Sequence, residues 1–154
     1  MTKAVQPLAP IHDAKSLRSA RELAYAEFRE HQSVTKLTKQ LSKLSDQLLI
    51  SLWNSCDLNN EATLVAVGGF GRAALFPFSD IDILILLPDN QKLIPEVLSS
   101  KIEKFVAYCW DTGLEIGSSV RTVAECVSEA EQDITVRTSL LEARLICGKT
   151  TLFK

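Results

Sequence analysis

The feature that most constrains this chain is a pair of apolar runs split by a glycine-rich break. Leu64-Val65-Ala66-Val67 stops abruptly at Gly68-Gly69-Phe70-Gly71-Arg72, and a longer run, Ile81 to Leu87, follows a turn-rich passage. Runs this short, rich in Val and Ile and bounded by Gly and Pro, predict strands rather than helices. Asp80 and Asp82 stand at the mouth of the second run. Side chains alternate along a strand, so the two acids project from one face. Carboxylates that close repel each other, and a divalent metal is their natural compensation. Hard carboxylate oxygens suit magnesium, which keeps waters and completes its shell with substrate phosphates.

The glycines supply the other half of a site. Gly68, Gly69 and Gly71 let the backbone turn sharply and approach a ligand. Successive N–H groups in such a turn form an anion-binding concavity, and Arg72 adds a cation matched to phosphate. A phosphate cradle beside a metal-binding acid pair is what phosphoryl or nucleotidyl transfer requires. No Gly-Lys-Ser/Thr follows, so this is not a Walker A loop, and the glycine spacing is not that of a dinucleotide-binding turn. Alone, GGFG fits a hairpin turn and Asp-Ile-Asp a patch at a strand end. Their order and proximity favour the functional reading.

GGFGR followed by FPFSDIDILILL closely resembles the active-site signature of the DNA polymerase beta-like nucleotidyltransferase superfamily. Downstream, DTGLEIGSSVRTVAEC and DITVRTSLLEARLICG resemble the N-terminal nucleotidyltransferase domain of the bacterial PII uridylyltransferase family, whose members also remove UMP. Upstream, SLRSARELAYAEFRE and DQLLISLW extend the likeness, so it covers the chain from about Ser16 onward. One departure stands out: many relatives follow the Gly-Arg with Gly-Glu, where this chain has Ala73-Ala74. The missing acid puts a local salt bridge or loop contact in doubt, but not the acid pair.

The resemblance implies an α/β (α+β) fold, a small mixed sheet backed by helices with the acids at one edge. It implies magnesium held by Asp80 and Asp82, two ions acting together with nucleotide bound. Gly68, Gly69, Gly71, Arg72 and Ser79 would cradle the triphosphate of UTP. The acceptor would be a tyrosine of the PII signal-transduction protein in the cytoplasm, with pyrophosphate released. Superfamily members place a third carboxylate on a later strand; Glu115, in Leu114-Glu115-Ile116-Gly117, is the candidate for it. Glu115 could instead be a structural acid paired with Arg121, and Asp111, less well aimed, is a further candidate. Family members are much longer, with a hydrolytic HD domain and glutamine-sensing ACT domains, so this chain corresponds to the transferase part of such an enzyme. Two other readings stay open: a nucleotide-binding regulatory module without turnover, and a transferase of the same superfamily acting on another protein. No residue selects uracil over other bases.

At 154 residues the chain suits one ordinary domain. A net charge of −2 argues against nucleic acid held by bulk electrostatics. No apolar stretch approaches the ~20 residues of a membrane span, and no signal-peptide segment is visible. Cys56, Cys109, Cys126 and Cys147 lack paired spacing, which with two histidines makes buried free thiols a better reading than a zinc site.

In chain order, residues 1–12 read as a flexible arm and residues 13–56 as a helical hairpin. Its second helix carries Val34, Leu37, Leu41, Leu44, Leu48 and Leu52 at intervals of three and four, with Ser33 as cap. Lys36, Lys39 and Lys43 read as its solvated face, and His31 as a loop residue between the helices. Residues 62–154 read as the transferase core. There, Pro95 suits the first position of a helix with a buried stripe of Val97, Leu98, Ile102, Phe105, Val106 and Cys109, extended by Trp110 and closed by Gly113. A third strand, Leu114 to Val120, precedes a capping box at Thr122 to Glu125. Asp133 opens a last helix that includes Leu140, Leu141, Leu145 and Ile146 and ends at Gly148.

Overall fold

Side-chain caps start the two longest helices. In the computed structural model, which describes residues 9–90 and 93–154, Asp13 Oδ1 accepts from the Ser16 amide at 2.7 Å and opens α1 (Ala14–His31). Ser33 Oγ accepts from the Lys36 amide at 3.3 Å and opens α2 (Val34–Ser55). Each cap satisfies an N–H that the first helical turn leaves without a partner. The leucines of α2 from Leu37 to Leu52 are buried, and Lys36 ties back to Glu27 of α1.

Among the described residues the strands are β1 (Thr63–Ala66), β2 (Ile81–Leu87), β3 (Ile116–Thr122) and β4 (Arg144–Gly148), in the order β3-β2-β1-β4. β1 is antiparallel to both β2 and β4, while β2 and β3 are parallel. Parallel neighbours need a long crossover, which α4 (Glu96–Asp111) supplies. The remaining helices are α3 (Gly68–Gly71), α5 (Val123–Gln132) and α6 (Ile134–Leu141). The mixed sheet with its helices is the α/β (α+β) architecture expected, but the acids stand at the mouth of the interior strand β2 rather than on an edge strand.

Strand alternation sorts the core into two faces. Leu64, Ala66, Ile81, Ile83, Ile85 and Leu87 join one cluster with α1, α2 and α4. Val65, Leu84 and Leu86 face the other way, with Cys126 of α5 and partly buried Leu140. The helical hairpin therefore shares a core with the sheet. Among the described residues no helix is long and apolar enough to cross a membrane. The four cysteines are free; burial pushes the Cys109 and Cys147 thiols up to about 12, which keeps both protonated at neutral pH.

Several local expectations are corrected. The last helix stops at Leu141, and Arg144–Gly148 is a strand, because pairing with β1 satisfies ladder groups that a helix would leave on the sheet edge. β3 begins at Ile116 rather than Leu114. Val97 and Trp110 are exposed: each sits one residue off the stripe of Leu98, Ile102, Phe105 and Cys109, about 100° around the helix. Pro95 is the residue before α4 rather than its first, and His31 is the last residue of α1 rather than a loop residue. Ile11 is buried in the core instead of belonging to a mobile arm; residues 1–8 of that arm lie outside the described residues.

Trp53 of α2 meets Phe105 of α4 edge to face, with ring centroids 5.1 Å apart and planes at 87°, and both side chains are fully buried. Phe105→Ala should cost about 3–5 kcal/mol through lost transfer energy, the cavity left and the lost ring contact. Denaturant unfolding measures it directly, and a loss below about 1 kcal/mol would show that α4 is not held through this ring.

Candidate active site

Asp82 is the second residue of β2, and its parity places it on the sheet face away from α1 and α2. The parallel register sets it beside Gly117. A Cβ on Gly117 would stand 2.7 Å from Asp82 Oδ1, and one on Gly68 would stand 3.4 Å from Oδ2. The carboxylate thus fills a gap left by two missing side chains. Gly68 also has φ +59°, a left-handed conformation that glycine adopts without steric cost. The Val67 N–H donates to Asp82 O at 3.0 Å, which ties the start of the glycine segment to β2. That segment is not the open turn expected but a single helical turn, α3, whose first N–H groups have no partner within it.

A cavity of about 420 Å³ brings Gly69, Arg72, Ser79, Asp80 and Asp82 together. Gly68 lies against the Asp82 carboxylate, and Gly71, at the end of α3, is buried. Arg72 is not a free cation: its Nη1 donates to Glu142 Oε1 at 2.7 Å, so despite Ala73-Ala74 the arginine has an acidic partner. One guanidinium N–H is used there, which leaves donors for an anion. The loop that closes the cavity is strained at both ends, with Ala73 at φ 55° and Phe78 at φ 64°. Left-handed conformations in such residues cost on the order of 1–3 kcal/mol each and gather at functional sites. Ala73 occupies the position where the family pattern has glycine, the residue that this φ favours. Phe78 is 99% exposed at the rim.

Glu115 lies just before β3, its carbonyl accepting from the Ile81 amide at 2.9 Å. It is exposed between buried Leu114 and Ile116. Its side chain lines a neighbouring cavity of about 170 Å³ with Arg21 and Tyr25 of α1, and the two cavities share Phe76, Phe78 and Ser79. Arg121 pairs with Glu129 at 2.8 Å rather than with Glu115. Asp111, the last residue of α4, lines neither cavity. A larger, mostly apolar hollow of about 450 Å³ lies between the sheet and α5, against Val65, Leu84 and Val123, and holds none of the expected site residues.

Among the described residues, no group of three His, Cys, Asp or Glu side chains is placed to hold a metal ion. Asp80 and Asp82 nevertheless fit magnesium, which takes one or two carboxylates and fills its shell with water and phosphate. Sequence reasoning missed Gly117, whose signal was present, since glycine inside a strand often marks a close approach. It also missed Glu142, Arg21 and Tyr25, because contacts between residues 70 positions apart, such as Arg72 and Glu142, leave no local pattern.

Burial holds the Asp82 carboxyl above its ordinary value, and the charge of Asp80 adds to the shift. A carboxyl whose folded value is raised penalises the folded state once ionised. The penalty is absent below the unfolded value of about 3.9, grows as pH rises through it, and is complete above the folded value. Without divalent ions, Asp82→Asn should therefore match wild type in thermal stability near pH 3 and equal or exceed it at pH 7. A variant less stable than wild type at pH 7 alone would contradict this.

The nucleotidyltransferase domain model matches residues 49–141. The bifunctional uridylyltransferase/uridylyl-removing enzyme of Burkholderia lata is 51% identical over 150 residues, 95% of this chain and 17% of that protein. The protein of the same description from Ralstonia nicotianae is 49% identical over 138 residues, 90% of this chain and 16% of its own length. That from Burkholderia pseudomallei is 48% identical over 149 residues, 97% of this chain and 17% of its own. The chain thus spans about a sixth of the length of these curated relatives. With a family model covering most of the chain and the acid pair facing a glycine turn, this chain belongs to the nucleotidyltransferase domain family.

Proposed function

We propose that this chain is the catalytic domain of a uridylyltransferase that moves UMP from UTP to a tyrosine of a PII-type regulatory protein and releases pyrophosphate. The observation that supports the reading is the packing of Asp82 against Gly68, which sets the second acid beside the glycine turn. The relatives' names supply the uridylyl group; the resemblance supplies PII.

Asp80 and Asp82 would hold magnesium, whose charge offsets that developing on the phosphates and the leaving pyrophosphate. The amides at the start of α3 and the Ser79 hydroxyl would orient the triphosphate in the cavity that the acids also line. Arg72, fixed by Glu142, offers its remaining N–H groups to phosphate oxygens at a defined angle. Glu115 is the candidate to take the proton of the attacking hydroxyl, from the side where its cavity meets that of the acids at Ser79 and Phe78. Retention of both acids weighs against a module that binds nucleotide without turnover.

The deciding assay is magnesium-dependent release of pyrophosphate from UTP in the presence of PII. Asp80→Asn and Asp82→Asn should each abolish it while the chain stays folded, and magnesium alone should raise the melting temperature of wild type but not of either variant. Wild-type turnover in either variant would end the assignment.

Glu115→Gln separates a proton acceptor from a structural acid. As a general base its loss should lower turnover about 10²–10⁴-fold with UTP affinity nearly unchanged. Lower stability with full turnover per folded molecule would assign it a structural role instead.

A further inference from the structure

The glycine turn, closed by the Gly71 N–H donating to Val67 O at 3.1 Å, is too short to hold its shape alone. A four-residue helix is far below the length at which helices persist unaided, yet a phosphate cradle is useful only if its amides keep their aim. Residues at the junction of α6 and β4 meet each of its last residues in turn. At Phe70, Arg144 Nη2 donates to the carbonyl at 3.2 Å, and its guanidinium carbon lies 5.2 Å from the ring centroid. At Gly71, the backbone presses so closely that a Cβ would be 2.1 Å from the Glu142 carbonyl oxygen. At Arg72, the side chain is held by the Glu142 carboxylate.

Arg144 is in turn fixed by Asp46 of α2. Nη1 donates to Oδ2 at 2.7 Å and Nη2 to Oδ1 at 3.1 Å, the two-pronged geometry that orients a guanidinium as well as binding it. The pair is largely removed from water, and burial raises the Asp46 carboxyl even against the pull of Arg144. Buried ion pairs are weak sources of stability but effective devices for specifying one arrangement. Nothing in the transfer chemistry uses Asp46 or Arg144 directly.

We propose that Arg144, oriented by Asp46, is the positioning residue of the nucleotide site: it holds Phe70 by carbonyl and ring, and through Phe70 sets the aim of the amides that receive the triphosphate. This rests on the reading of the glycine turn as a triphosphate cradle.

Arg144→Lys keeps the charge facing Asp46 but loses the fork and the planar stacking. In the full chain, this variant should keep a melting temperature near wild type, exchange the amides of Phe70 to Arg72 about tenfold or more faster, and bind UTP about tenfold more weakly. UMP, which lacks the outer phosphates, should lose much less affinity. Asp46→Asn, which keeps an acceptor but frees the guanidinium, should shift both readouts in the same direction and serves if the lysine variant fails to fold. Unchanged exchange at Phe70 to Arg72 would overturn the proposal, as would faster exchange with UTP affinity intact, or equal losses for UTP and UMP. If wild type itself binds no UTP, the triphosphate reading falls, and the exchange rates alone decide whether Arg144 holds the turn.

Discussion

The carboxylate of Asp82 occupies the space where Gly68 and Gly117 have no side chains, and the site depends on that fit. Three chain segments distant in sequence meet there: the turn after β1, the mouth of β2 and the start of β3. The antiparallel register of β1 and β2 brings the first two together, and the parallel register of β2 and β3 sets the third beside them. Backbone ladders thus place the acid within reach of the glycine turn. A one-residue slip of β2 would turn both acids into the helix-side core.

That register is held from both faces. β2 is an interior strand, buried along its length except at Asp82, so its apolar residues are committed alternately to the cluster under α1, α2 and α4 and to the one under α5. Trp53 and Phe105 lock α2 to α4 within the first cluster. Asp82 is the one position of β2 that keeps access to solvent, and partial burial of its carboxyl, with the charge of Asp80 added, holds it above its ordinary value. Backbone strain gathers nearby, at Ala73 and Phe78, both in left-handed conformations.

A second set of contacts holds the glycine turn. Asp46 of α2 holds Arg144 of β4, which bonds the Phe70 carbonyl of α3, while Glu142, just after α6, holds Arg72. The edge strand β4 matters here less for its ladder than for where it puts Arg144. Reading Arg144–Gly148 as helix, which the apolar spacing of Leu140, Leu141, Leu145 and Ile146 suggests, leaves the arginine without a place in the site.

The local patterns were legible without coordinates where one short segment contains the whole cause. Asp80 and Asp82 on one strand face, the glycine break before them, the caps at Ser33, Thr122 and Asp133, and the leucine stripe of α2 follow from periodicity and capping chemistry alone. Tertiary structure decided what depends on partners far along the chain. β4 is a strand because β1 offers it a ladder; Trp110 is exposed because it sits off the buried stripe of α4 and no described element covers it; Arg72 is paired because α6 ends beside it. Gly117 needs no side chain only because Asp82 lies across from it. The physical reason is common to all of these: hydrogen-bond ladders, ion pairs and close approaches are set by neighbours in space, and sequence spacing determines only which faces are available to meet them.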